Sequence, residues 1–98
     1  MTGDAVTARR AVEIGMINRV VLPADLLSEA KAFAEKLAAG PTASLGRIKQ
    51  MMNATFSNDL DGQLALEHRM QIESGKGSDF KEGVAAFFDK RAPNFKGN

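Results

Sequence analysis

Residues 17–22 read INRVVL, and the reading of this run decides the fold. It is apolar and rich in β-branched residues, and Pro23 closes it, which is the composition of a short strand. No other segment reads this way. A lone strand leaves backbone N–H and C=O groups in need of partners. Either the run is merely extended and packed through its side chains, or its partner lies on another chain or in another part of a longer protein. Both flanks have helical spacing. The expected class is therefore all-α, with about five short helices and one extended segment over residues 17–22.

On the N-terminal side, Thr7 suits the N-cap of a short helix over residues 8–14. Gly15 stands where a left-handed helix end is wanted. On the C-terminal side, Asp25 is a good N-cap for a second helix. Its apolar stripe is Leu26, Leu27, Ala30, Phe33, Ala34, Leu37 and Ala38, and Gly40-Pro41 ends it. A third helix runs from Thr42 or Ser44 to Phe56. Leu45, Ile48, Met52 and Phe56 form its expected inner face, with Arg47 and Lys49 off that face.

A fourth helix starts near Asp59 or Asp61 and ends at Gly75. Leu60 and Leu64 share a side with Glu67 and Gln71, while Ala65 and Ile72 lie on another and Leu66 and Met70 on a third. Such a helix has neighbours on several sides, and another subunit can supply one. A fifth helix starts at Ser78 or Asp79. Glu82 stands in capping-box spacing after Asp79. Phe80, Val84, Phe87 and Phe88 form the stripe, and Pro93 stops the helix.

Ninety-eight residues suffice for one domain. A net charge of +1 gives no field for non-specific attraction to nucleic acid or to a membrane surface. The longest apolar run, residues 84–88, is too short to span a bilayer, and MTGDAVTARR carries no signal-peptide core. The absence of cysteine excludes disulfides and thiolate metal sites and fits a cytoplasmic setting.

The candidate motifs are few. Gly75-Lys76-Gly77-Ser78 has the look of a phosphate loop, but Met70 stands where the loop's first glycine is required, so it reads as a turn between helices. His68 lacks a second ligand one turn away, which makes it a poor metal site. Glu67 and Glu73 are six apart and do not stack on a helix, so they are no acid/base pair. Thr2-Gly3-Asp4 reads as a turn. Asp89-Lys90-Arg91 closes the fifth helix and has two readings. Lys90 and Arg91 can both oppose the negative end of the helix dipole. Alternatively, Lys90 captures a phosphate, with Phe87 one turn behind as an apolar wall.

Two stretches together resemble a known family. TGDAVTARRAVEIGMINRVVLP and ALEHRMQIESGKGSDFKEGVAAFFDKRAPNF are similar, in order and spacing, to the later part of enoyl-CoA hydratase/isomerase (crotonase) proteins. The resemblance covers essentially the whole chain. It implies a single C-terminal helical domain over residues 1–98, without the N-terminal ββα spiral that forms the bulk of that fold. The spiral would then hold the strand partner that INRVVL lacks.

In the family, the oxyanion hole and the acid/base carboxylates also lie in the spiral, so the resemblance implies no catalytic residue here. Glu67, Glu73 and Glu82 are not promoted to that role, and the 98 residues alone are expected to lack turnover. The resemblance does imply a binding role. Lys90 matches a lysine that reaches coenzyme A phosphate, and Phe87 an aromatic bordering the acyl or pantetheine channel. Gln71 stands where many straight-chain hydratases carry an aromatic. A polar residue there is similar to members acting on ring-containing or more polar acyl-CoAs, such as phenylacetate-pathway isomerases.

The substrate implied is an acyl-CoA thioester, with coenzyme A as part of the substrate and no separate cofactor or metal. The family assembles as trimers, often paired into hexamers, so a homo-oligomer is implied. The reading from residues alone keeps a non-catalytic oligomerisation or protein-interaction module open. Met1 stands at a position that is simply apolar in the family and does not by itself mark a natural start.

Overall fold

The computed structural model describes residues 3–98. Thr2 of the expected Thr2-Gly3-Asp4 turn lies outside the described residues. The elements are α1 (Ala8–Glu13), a 3-10 turn (Pro23–Asp25), α2 (Leu26–Ala38), α3 (Thr42–Ala54), α4 (Leu60–Lys76) and α5 (Ser78–Phe88). The all-α expectation holds. No strand occurs among the described residues, so INRVVL takes the unpaired alternative. The chain divides into two compact units, one ending at Phe33 and the other Ala34–Asn98.

In the first unit, Thr7 caps α1 as expected, its hydroxyl accepting from the Arg10 N–H at 3.2 Å. The other end of α1 closes on Gly15, with φ +73°. The Gly15 N–H donates to Val12 O at 3.0 Å and the Met16 N–H to Ala11 O at 2.8 Å. These two crossed bonds are a Schellman motif. Side chains tie the extended run to α2. The Arg19 guanidinium pairs with Glu29 at 3.1 Å and lies 5.1 Å from the centre of the Phe33 ring. Asp25 is not a side-chain cap. Helical turning starts earlier, at Pro23, whose fixed φ suits a first helical position.

In the second unit, α4 packs against both α3 and α5. Asp59 caps α4, accepting from the Gly62 N–H at 2.8 Å. The expected inner face of α3 is corrected. Ile48 is 51% exposed, Met52 63% and Phe56 91%, and the helix ends at Ala54, short of Phe56. Of that face only Leu45 is half-buried; the other half-buried positions are Ala43, Ser44, Arg47, Met51 and Ala54. Arg47 donates to Ser74 Oγ across to α4 at 3.5 Å. Small and polar groups, with Leu45 and Met51 among them, thus make up the half-buried side of α3, which packs on α4. The large apolar stripe of α3 faces outward. Phe80, Val84, Phe87 and Phe88 of α5 are likewise exposed, while Ala86 is buried.

The capping box expected of Asp79 and Glu82 is also corrected. Neither carboxylate bonds the first turn of α5. Both turn to the segment that follows the helix.

Candidate functional site

The site lies at the C-terminal end of α5 and on the tail that folds back along it. Lys90 has φ +53°, the one positive φ outside glycine among the described residues. The Lys90 N–H donates to Phe87 O at 3.3 Å and the Arg91 N–H to Ala86 O at 3.1 Å. This is the same crossed pair that closes α1 around Gly15. Lysine here occupies the slot where glycine is usual, because a Cβ in the left-handed region meets the carbonyl that follows.

The two adjacent cations are treated differently. Arg91 forms a fork on Glu82, with Nη1 to Oε1 at 2.6 Å and Nη2 to Oε2 at 3.0 Å. It also reaches Asp89 Oδ2 through Nε at 3.3 Å. Glu82 accepts in addition from the Asn94 N–H at 2.7 Å. The Arg91 bonds, then the Asn94 amide, pull the Glu82 carboxyl down to about 2, and the same fork raises the Arg91 guanidinium above its ordinary value. Lys90 makes no side-chain hydrogen bond or ion pair among the described residues.

The tail is fastened a second time by Asp79, which is only 5% exposed. Its two oxygens accept from the Lys96 N–H at 2.7 Å and the Gly97 N–H at 2.8 Å. The Asp79 N–H donates to Asn98 O at 3.1 Å, and Ser78 Oγ bonds the Asn98 side chain. Gly97 sits at φ +83°, where an added Cβ would collide with Thr42 Oγ1. The tail therefore lies close against the start of α3.

This fastening lays Phe95 over Gly83, at contact distance from where a Cβ there would stand. Phe95 then walls an open groove of about 430 Å³, together with Phe80, Val84, Phe87 and Phe88 of α5 and Ser44 and Ser74 from α3 and α4. Phe87 and Phe88 meet edge to face at 5.7 Å. The groove is apolar, with an unpaired cation on the same helix end. Such a site suits a ligand with an apolar body and an anionic group.

A sequence profile of the family described as Enoyl-CoA hydratase/isomerase matches residues 1–98. The chain belongs to this family. A protein of Escherichia coli (strain K12) named 1,2-epoxyphenylacetyl-CoA isomerase is 43% identical over 97 residues, covering 99% of the chain and 37% of that protein. The crystal structure of an enoyl-CoA hydratase from Polaromonas sp. JS666 superposes with a TM-score of 0.90 at 36% identity, over 96% of the chain and 37% of that structure. An enoyl-CoA hydratase from Mycobacterium tuberculosis H37Rv gives a TM-score of 0.90 at 30% identity, over 99% and 38%. The chain thus spans about 37% of the length of the curated relative.

Of the residues singled out from sequence in this enoyl-CoA hydratase/isomerase chain, Phe87 lines the groove and Lys90 stands free at the helix end that borders it. Gln71 is exposed on α4 and does not line the groove; Ser74 is the α4 residue that does. Sequence reasoning missed the tail-fastening roles of Asp79 and Glu82 and the wall formed by Phe95. The one available signal was Gly83, one turn from Asp79 and opposite an aromatic in the tail.

Proposed function

We propose that this chain is the C-terminal, coenzyme-holding part of an enzyme that hydrates or isomerises an enoyl-CoA thioester through an oxyanion-stabilised enolate. It contributes a lid, oligomer contacts and part of the coenzyme A site. Coenzyme A is part of the substrate, and neither a separate cofactor nor a metal has a role in this reading. The single observation that carries it is the unpaired Lys90 on the same helix end as an apolar groove that Phe87 walls. An ammonium with no partner among the described residues is free to meet phosphate. The groove accepts the apolar part of a thioester.

The family supports an acyl-CoA substrate. A ring-bearing acyl group is the finer reading, supported by the name of the Escherichia coli relative; Gln71, which does not line the groove, adds no support. The outward apolar stripe of α3 supports assembly into a trimer or hexamer. The setting is cytoplasmic in this reading, and no helix of the described residues is long and apolar enough to cross a membrane.

The test is calorimetric titration of coenzyme A into the chain alone and into the chain joined to a family spiral, each beside Lys90→Ala. Loss of a contact to a charged group costs on the order of 1.5–3 kcal/mol, so the variant is expected to bind about 10-fold more weakly or worse. Equal affinity of wild type and variant in the joined protein refutes the phosphate role. A single oligomeric state with no coenzyme affinity in either form turns the assignment to a non-catalytic oligomerisation module.

A further inference from the structure

We propose that Glu82 is a positioning residue that decides which of two adjacent cations the end of α5 offers to an anionic ligand. It withholds Arg91 and leaves Lys90 free. The inference rests on the coenzyme reading above and deepens it.

Lys90 and Arg91 are neighbours after the same helix, and by charge either could meet a phosphate. Arginine is even the better shaped for it, since its planar fork matches two oxygens at once. The structure spends that fork internally. Both Arg91 terminal nitrogens bond Glu82, at 2.6 and 3.0 Å, and its Nε bonds Asp89 at 3.3 Å. Leaving for a ligand would cost the half-buried Glu82 carboxylate, whose side chain is 25% exposed, both of its charge-assisted bonds and leave it only the Asn94 N–H. Lys90 has no such bond to give up.

Glu82 also holds the backbone on the far side of Lys90. It grips the Arg91 side chain and the Asn94 N–H, at 2.7 Å. A lysine at φ +53° persists only where its surroundings over-determine the backbone. Two anchors on one carboxylate, directly after the reversal, supply that constraint. Glu82 therefore acts through Lys90 and Arg91 and needs no contact with the ligand.

The experiment is a set of titrations with two probes, coenzyme A and pantetheine, on the chain joined to a family spiral. Pantetheine lacks every phosphate, so the ratio of the two affinities isolates the phosphate contact. In the wild-type background, Lys90→Ala is expected to lower that ratio about 10-fold. In a Glu82→Gln background Arg91 loses its charged fork and keeps only the Nε bond to Asp89, so its terminal nitrogens take over and Lys90→Ala is expected to lower the ratio less than about 3-fold. Adding Arg91→Gln to Glu82→Gln removes the substitute cation, and a Lys90 dependence larger than in the Glu82→Gln background returns, short of about 10-fold by what the lost Glu82 grip on the backbone contributed. A purely structural role for Glu82 does not give that return.

Circular dichroism of the variants checks that α5 persists. If Lys90→Ala has the same effect with and without Glu82, the positioning role is wrong and the coenzyme reading stands. If coenzyme A and pantetheine bind wild type equally, the coenzyme reading falls and takes this inference with it.

Discussion

At the scale of single residues, the chain carries its own control for Lys90. It ends α1 and α5 with the same crossed bonds, once around Gly15 and once around Lys90. Placing an L side chain in the left-handed region costs roughly 1–2 kcal/mol, while glycine loses some of that advantage to its unfolded-state freedom. Lys90→Gly is therefore expected to stabilise the chain, by about 0.5–1 kcal/mol in urea unfolding, while weakening coenzyme A. Stability and binding moving in opposite directions identify a residue kept for its side chain. A variant that is less stable than wild type shows instead that the lysine stem packs usefully where it stands.

Glu82 belongs to the same scale. Its folded-state value, about 2, lies below the ordinary 4.5 because Arg91 and the Asn94 amide favour the charged form. A depressed carboxyl stabilises the fold fully above the unfolded value and loses that contribution as pH falls through the folded value. The stability difference between wild type and Glu82→Gln is thus expected to be constant above about pH 5.5, to shrink as pH falls from there through 4.5, and to vanish only below pH 2. Thermal melts of the pair across that range measure it. A difference unchanged from pH 6 to pH 2 rules out the charged fork as its source.

At the scale of elements, the sequence displays the helices and hides which way they face. Periodicity and caps located α1 to α5 to within a few residues, because those signals are local. Asp59 is the clean case. It bonds the Gly62 amide at 2.8 Å, so Asp59→Ala is expected to cost about 1 kcal/mol in chemical denaturation, and a change under 0.3 kcal/mol shows that water replaces the cap. The facing of α3 was not local. Ile48 and Met52 form a stripe of the kind that normally meets a core, yet Ser44, Arg47 and Met51 turn toward the chain's own interior.

The tail fastening was equally illegible. Its bonds join residues 9, 12, 17 and 18 apart, and no helical period links them. Asp79 and Glu82 fit a capping box in spacing, but the tail amides offered them an alternative set of donors. The extended run 17–22 was legible as an orphan, since nothing else in the chain could pair with it. Which of Lys90 and Arg91 is free was not legible, because it depends on Glu82 one bonded loop away.

At the scale of the whole molecule, the proposed function accounts for both the outward stripes and the orphan run. Among the described residues only Ala11, Leu66 and Ala86 are buried apolar side chains, while Leu60, Leu64, Ile72, Phe80 and Phe88 are all at least 46% exposed. A folded domain does not ordinarily leave so much large apolar surface uncovered, and extended patches of this kind mark contacts. The relatives are longer, with this chain covering about 37% of the curated one, which provides a source of cover.

Met52 tests this directly. It is 63% exposed in the chain itself, so Met52→Ala in the chain alone is expected to change unfolding free energy by less than about 0.5 kcal/mol. Joined to a family spiral and assembled, the same substitution is expected to cost about 2 kcal/mol or more, because the side chain becomes a core contact. The chain alone should also bind a hydrophobic dye that the joined protein excludes. Equal, small effects of Met52→Ala in both contexts mean that this stripe faces water in the assembled protein. Any contact between copies is then to be sought on the exposed side of α4, at Leu60 and Leu64.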